Sequence, residues 1–274
     1  MVVTDEKNKH YGWLTDIHLE FLTNKEAAAF VRHLALKGLD GLFVTGDIST
    51  ANQIEGHLQL FEELYKAPVY FVLGNHDYYG GEIESVRSIV QKVCRRSRWL
   101  HWLPASGVVP LNNNTCLIGH DGWADGRLGN YKGSKVLLND YLKIQNFVQA
   151  GGVGRLALLN SLGDQGASYI QEILPIALKQ YNHIMVLTHV PPFMEACWHQ
   201  GHISADDWLP HFSCQAIGDV LKDVMATAQD KQMTVFCGHT HSSGECQILP
   251  NLQVKTGGAK YCAPQLQEII ELSE

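Results

Sequence analysis

Residues 68–77 read Pro68-Val69-Tyr70-Phe71-Val72-Leu73-Gly74-Asn75-His76-Asp77, an apolar, β-rich run that stops at a glycine and hands over to three polar side chains. The run has strand composition and the glycine marks a turn. Two earlier segments repeat the plan: Tyr11–Thr15 leads into Asp16-Ile17-His18, and Leu42–Thr45 leads into Gly46-Asp47. Helical patterns lie between them. Asn24 to Lys37 carries an apolar stripe of Ala27, Phe30, Val31 and Leu34, with Asn24 placed to cap it and Gly38 to end it. Ile54 to Tyr65 turns Leu58, Phe61 and Leu64 inward. This β-α-β-α-β rhythm predicts a parallel sheet covered by helices. In such sheets ligands collect beyond the carboxyl ends of the strands, and all three polar segments fall at that edge.

The rhythm resumes late. Ile184–Leu187 delivers Thr188-His189, and Thr234–Cys237 delivers Gly238-His239-Thr240-His241. Cys246–Leu249, Leu252–Lys255 and Gln267–Leu272 read as shorter strands separated by Pro250-Asn251 and Gly257-Gly258, which suggests an antiparallel second sheet. From Tyr78 to His183 the pattern is a helix (Ile83–Val93), a strand (Thr115–Ile118) and helical stretches at Val136–Val148 and Gln165–Leu178. The turn Gly151-Gly152-Val153-Gly154 punctuates them. With no internal repeat and no low-complexity linker, the expectation is one domain over 1–274, decorated around 78–183 and with a candidate lid at 191–211.

A chain of 274 residues buries roughly three quarters of the surface it would expose unfolded, so it needs no covalent staples. Hydrophobic content of 45% and charged content of 18% fall in the globular range. The formal net charge of −7 argues against an extended nucleic-acid or anionic-membrane footprint. Seven cysteines, an odd number without a CxxC pair, resemble buried thiols in a reducing compartment more than a disulfide framework. Met1 to His10 is polar, unlike a signal peptide, and no segment approaches the roughly 18 apolar residues of a membrane span. These features together predict a cytoplasmic protein.

The polar segments have the chemistry of a two-metal site. Asp-x-His can grip one cation from a single short loop, and a mixture of imidazole and carboxylate suits Mn, Fe, Zn or Co better than Ca or Mg. His239 and His241, two apart, can each reach a different metal on an extended turn. Asp47 is placed to bridge two ions, and the Asn75 carbonyl adds a neutral ligand. Two divalent ions bring four positive charges against the two negative ones of Asp16 and Asp47. The remainder attracts phosphate and lowers the pKa of a bound water toward about 7, and the hydroxide can attack in line at phosphorus. His76 is the remaining imidazole and could protonate the leaving oxygen. As ordinary turn residues the segments are unremarkable one at a time; all five in order are not.

The five segments resemble the signature of the calcineurin-like metallophosphoesterases: DxH, GD, GNH(D/E), a lone His and GHxH. The resemblance runs from Asp16 to His241 and implies an α/β fold in which two central sheets form a sandwich flanked by helices, four layers in all. It further implies one metal on Asp16, His18, Asp47 and His241, the other on Asp47, Asn75, His189 and His239, and a transition-state or acid role for His76. Protein Ser/Thr phosphatases of this superfamily extend GD to GDxxDRG. Here Thr50 and Ala51 replace that Asp and Arg, so a protein phosphatase is disfavoured and the group orienting His76 is left open. The pattern is closer to bacterial small-molecule members, including cyclic-nucleotide phosphodiesterases and UDP-sugar-lipid pyrophosphatases. A small, nucleotide-like phosphodiester or phosphomonoester is the expected substrate, with the missing arginine tilting toward diesters. The rival is a non-catalytic interaction module on the same fold, which degenerate ligands would favour; none is degenerate here.

Substrate choice is expected in two places. In Gly119–Arg127, Arg127 could clamp a phosphate oxygen and Trp123 could stack on a ring. In 191–211, Phe193, Trp198, His199, His202 and Trp208 follow ligand His189 closely enough to form a lid. His199 and His202 read as surface histidines rather than further ligands. His10, His33, His57, His101, His183 and His211 have no ligand-like context.

Overall fold

Strand β1 (Lys9–Leu14) sets the pattern: Tyr11 and Trp13 face one way, Gly12 and Leu14 the other, and all four are buried, as in a sheet covered on both sides. The computed structural model describes residues 8–273; most of the stretch read as lacking a signal peptide, residues 1–7, lies outside them. In chain order the further strands are β2 (Gly41–Thr45), β3 (Val69–Val72), β4 (Leu100–Trp102), β5 (Val109–Pro110), β6 (Thr115–Gly119), β7 (His183–Leu187), β8 (Trp198–His199) and β9 (His202–Ile203). After them come β10 (Gln232–Cys237), β11 (Gly244–Leu249), β12 (Leu252–Thr256) and β13 (Glu268–Leu272). The α-helices are α1 (Asn24–Ala35), α2 (Ile54–Leu60), α3 (Ile83–Arg96), α4 (Leu103–Ser106), α5 (Asp140–Lys143), α6 (Gln145–Gln180), α7 (Leu209–Phe212) and α8 (Gln215–Thr227).

Two sheets result. One has the order β13-β1-β2-β3-β4, the other β11-β12-β10-β7-β6-β5. They pack face to face through Tyr11, Trp13, Phe43 and Val72 on one side and Leu117, Met185, Leu187 and Phe236 on the other; the Trp13 and Phe236 rings meet edge-on at 5.0 Å. Helices α1, α2 and α3 cover the outer face of the first sheet through Val31, Leu34, Leu58 and Val86. Helices α6 and α8 cover the second through Ile170, Leu174, Ile217 and Leu221. The fold is therefore the expected four-layer α/β sandwich. Because β1, β2 and β3 are mutually parallel, as are β7 and β10, their carboxyl ends gather at one edge of the sandwich.

Two local expectations are corrected, and a third holds. The late strands do not make a sheet of their own. Strand β12 runs parallel to β10 and pairs antiparallel with β11, while β13 crosses to the first sheet and pairs antiparallel with β1. Helix α1 is capped by Thr23 rather than Asn24: the Thr23 hydroxyl accepts from the Glu26 N–H, and the Glu26 carboxylate accepts from the Thr23 N–H, a capping box. The glycine-rich turn at 151–154 does punctuate the helical stretch: Gly151 leaves helical geometry (φ 60°, ψ −171°), so the α6 span is two helices meeting at a kink, the second buried through Leu159, Leu162 and Ile170.

Candidate metal centre

Each ligand-bearing loop turns sharply off its strand, and the backbone records the cost. Among the described residues only eight non-glycines have positive φ, and five of them are Asp16 (46°), His18 (44°), Asp47 (51°), His239 (69°) and His241 (58°). A left-handed conformation costs a β-carbon residue roughly 1–3 kcal/mol and persists only where the surroundings hold it. Here the loops hold one another. Asp16 N–H donates to Gly46 O at 3.1 Å and His18 N–H to Asp47 O at 3.0 Å, while Gly238 N–H donates to His189 O at 2.9 Å. Asp77 accepts from Gly74, Ile48 and Ser49 N–H, tying the third loop to the second. Those bonds occupy both oxygens of its carboxylate. Gly74 and Gly238 are obligatory here, since a Cβ at either would fall on the Asp47 or Asp16 carboxylate.

Asp16, His18, Asp47, Asn75, His189, His239 and His241 come together as two groups sharing Asp47. In the first, His241 Nε2 lies 3.3 Å from Asp16 Oδ1 and 3.1 Å from His18 Nε2, with Asp47 Oδ2 at 3.8 Å from His18 Nε2. In the second, Asn75 Oδ1 lies 3.0 Å from His189 Nε2 and 2.9 Å from His239 Nδ1, with Asp47 Oδ1 at 3.4 Å from His189 Nε2. Tautomers decide what these contacts mean. His189 Nδ1–H donates to Thr45 O at 2.8 Å and His239 Nε2–H to His211 O at 3.1 Å. The nitrogens aimed at Asn75 Oδ1 are therefore bare, and lone pairs face lone pairs. Burial pushes His189 down to about 4 and His239 down to about 3, keeping them neutral. Burial, with Asp16 beside it, drives Asp47 well above the usual carboxylate range. Around Asn75 Oδ1 the converging acceptors have no proton between them, which a cation resolves, and the mixed imidazole and carboxylate donors of both groups fit metal ions.

The supporting shell is specific. Asp140, at the start of α5, accepts from Asn75 Nδ2 at 2.9 Å and from the Tyr79 hydroxyl at 2.6 Å, fixing which end of the amide faces the centre. Asp121 accepts from Leu73 N–H, Trp102 Nε1–H and the Tyr78 hydroxyl, and its carbonyl receives His189 N–H at 2.9 Å. The structure overturns the substrate roles expected of its neighbours. Trp123 is buried against Tyr78 (5.3 Å) and Phe147 (5.7 Å), and Arg127 is engaged by Asp125 (2.9 Å) and Asp164 (2.6 Å). Neither lines the cleft over the centre. That cleft, about 270 Å³, is walled by His76, Tyr79, Trp208, Phe212 and Tyr261, with His199 also on its lining. Two residues left unassigned in the sequence matter here: Glu20, which lies between His18 and His76, and His211, whose carbonyl orients His239. The spacing Asp-x-His-x-Glu was the signal for the first; the second acts through its backbone and left none.

The sequence profile described as calcineurin-like phosphoesterase matches residues 10–243. The chain belongs to that family. It is a metal-dependent phosphoric ester hydrolase by membership. Solved structures with the same fold include a phosphopantetheinyl hydrolase from Mycobacterium tuberculosis, 14% identical with a TM-score of 0.63 over 92% of this chain and 90% of that one. A dimetal phosphatase from Danio rerio is 13% identical with a TM-score of 0.57, over 91% of this chain and 87% of that one. The Thermus thermophilus protein TT1561 is 13% identical with a TM-score of 0.52, over 92% of this chain and 90% of that one. No curated protein matches the phosphoesterase in sequence. No described helix of the phosphoesterase is long and apolar enough to cross a membrane.

Proposed function

We propose that this phosphoesterase hydrolyses a small phosphodiester carrying a flat, nucleobase-like or aryl group. Asp16, His18, Asp47 and His241 would hold one ion and Asp47, Asn75, His189 and His239 the other, with Mn, Fe or Zn suiting the mixed donors. When bound, two such ions supply Lewis acidity that neutralises phosphate charge and makes water a nucleophile near neutral pH. His76, which lines the cleft, would give its proton to the leaving oxygen. Tyr79 packs on the His76 ring at 4.2 Å and keeps it from swinging out.

The observation that carries the diester preference is the composition of the cleft. Among the described residues that line it there is no lysine or arginine, while Tyr79, Trp208, Phe212 and Tyr261 provide aromatic walls. A monoester dianion calls for a cationic clamp beyond the metals; a diester monoanion does not. Segment 191–211 supplies Trp208 and His199 to that wall, which supports its role as a lid. All seven cysteines are free, which fits the cytoplasmic placement.

The test is hydrolysis of an aryl phosphodiester, the matching aryl monoester and a cyclic nucleotide side by side, with Mn, Fe or Zn added. The diester should turn over at least about 10-fold faster than the monoester by kcat/KM, and Asp47→Asn and His76→Ala should each remove about 100-fold or more. A monoester preference, or near-normal turnover in both variants, overturns the proposal.

A further inference from the structure

His76 needs a partner if one of its nitrogens is to carry a proton at a fixed place, and the residues after Gly46-Asp47 offer none: Ser49, Thr50 and Ala51 have no charge. The partner comes from elsewhere. Glu20 sits on a single 3-10 turn (Leu19–Phe21) directly after His18. Its side chain is 6% exposed, and its Oε1 lies 3.1 Å from His76 Nδ1 and 3.1 Å from His18 Nδ1. The two rings meet at 4.4 Å with their planes 68° apart, so one carboxylate oxygen sits at the corner between them. Oε2 is buried with no hydrogen-bond partner among the described residues. Taking a carboxylate out of water and leaving one oxygen bare is costly, and no lysine or arginine is paired with it. What it receives in exchange is two imidazole N–H bonds.

We propose that Glu20 is the positioning residue of this site, holding His76 by its Nδ1–H so that Nε2 faces the cleft, while orienting the ring of His18. The inference rests on the phosphodiesterase reading for what His76 does, but the hydrogen bonds themselves do not depend on it. In the resting site Nδ1–H of each ring donates to Oε1. The proton that His76 passes to the leaving oxygen is the one held on Nε2 of the imidazolium, and Glu20 Oε1 keeps Nδ1–H in place throughout. Glu20 touches neither substrate nor the reacting atoms, so it is not itself a catalytic residue. Its coupling of the two rings means that the ring of one ligand and the ring of the proton donor cannot reorient independently.

Two measurements on the full chain separate this from a purely structural role. The first is turnover of a diester series running from p-nitrophenyl to alkyl leaving groups by the reconstituted wild type, Glu20→Gln, Glu20→Ala, His76→Ala and the Glu20→Ala/His76→Ala double variant, each with its metal content determined. Loss of a correctly held proton donor matters most for the poorest leaving group. Glu20→Ala should therefore lose about 100-fold on alkyl esters but only a few-fold on p-nitrophenyl esters. Glu20→Gln, which keeps one acceptor oxygen, should recover about 10-fold of that, and the double variant should be no slower than His76→Ala. The second is the imidazole N–H spectrum of the zinc-loaded, 15N-histidine-labelled chain. Besides the Nδ1–H signal of His189, which donates to Thr45 O, two low-field Nδ1–H signals are expected, both lost in Glu20→Ala and one lost in His76→Ala. A uniform loss across leaving groups, additivity with His76→Ala, or metal loss alone would assign Glu20 to the fold or to His18 only and overturn the proposal. If the wild type hydrolyses no ester the phosphodiesterase reading fails, and the spectrum still decides whether Glu20 holds both rings.

Discussion

At the residue scale, five side chains assigned here to metal binding sit in backbone conformations that only glycine adopts freely. The purpose is directional: a left-handed residue directly after a strand turns its side chain back across the strand ends within one step, and so places ligands from separate loops around one point. Strain of this kind should be recoverable when the ligand is dispensed with. His241 is the test position, because its side chain is the most exposed of the five (24%) and its loss disturbs the core least. In metal-free protein, His241→Gly should be more stable than His241→Ala by about 0.5–1 kcal/mol, since alanine keeps the left-handed penalty and glycine does not. Urea denaturation of the two variants in chelator measures it, and equal midpoints would mean that the loop relaxes. None of this strain was readable in advance, because nothing in Asp-x-His or Gly-His-Thr-His signals positive φ at the ligand itself. The candidate ligand set stood out in the sequence for the opposite reason. Metal chemistry restricts residue type and spacing tightly, whereas Glu20 acts through hydrogen bonds that any nearby acceptor could have supplied.

At the element scale, the strands were legible and their partners were not. β1, β2, β3, β7 and β10 are short apolar runs ending in glycine or polar residues, and burial on both faces writes that pattern directly. Whether β13 joins β11 and β12 or crosses to β1 depends on contacts more than 200 residues apart, such as Tyr11 against Ile270, and a local pattern cannot encode them. The same limit misplaced Trp123. A tryptophan after a strand in a glycine-rich loop looks like a surface reader of substrate, but helix α6 folds back over it and Phe147 covers its face. The segment that does reach the cleft ends in α7. Trp208 stacks on Phe212 at 5.3 Å, and Phe212 meets the His239 ring edge-on at 4.9 Å, so the aromatic wall is braced against the candidate centre. Trp208 remains 41% exposed, free to cover an incoming ring. Trp208→Ala should therefore raise KM for aryl and nucleoside diesters about 10-fold while leaving kcat and the KM of small alkyl diesters within about 2-fold. Parallel Michaelis–Menten curves on the two substrate types measure it. An equal effect on both would make the wall structural.

At the scale of the whole molecule, the sandwich buries its titratable centre so deeply that stability and metal affinity should share one pH dependence. Eight histidines are pushed down by burial, and four of them furthest: His189, His120 and His211 to about 4 and His239 to about 3. Their unfolded values lie near 6.5. Between the two limits the unfolded chain binds more protons than the folded one, so stability rises with pH there and is lost as pH falls from about 6.5 toward 4. Above 6.5 both states are neutral at these rings and the contribution is complete. His241 runs the other way: burial lowers it, but the Asp16 hydrogen bond outweighs burial and raises it. It adds stability below 6.5 that is lost as pH climbs through its folded value. The raised carboxyls of Asp47, Asp77 and Asp140 also run the other way, since burial makes the folded chain hold their protons longer. Each fully lowered histidine changes stability by up to about 1.4 kcal/mol per pH unit, so the imidazoles by themselves take a few kcal/mol from metal-free protein between pH 7.5 and pH 5.5, and the carboxyls offset part of that loss. Metal-loaded protein should lose more, because protons displace ions from His189 and His239 as well as opposing folding. Denaturant midpoints at the two pH values, with and without chelator, test both statements. A metal-free midpoint that does not move would mean that the raised carboxyls cancel the imidazoles in full or that water reaches these rings.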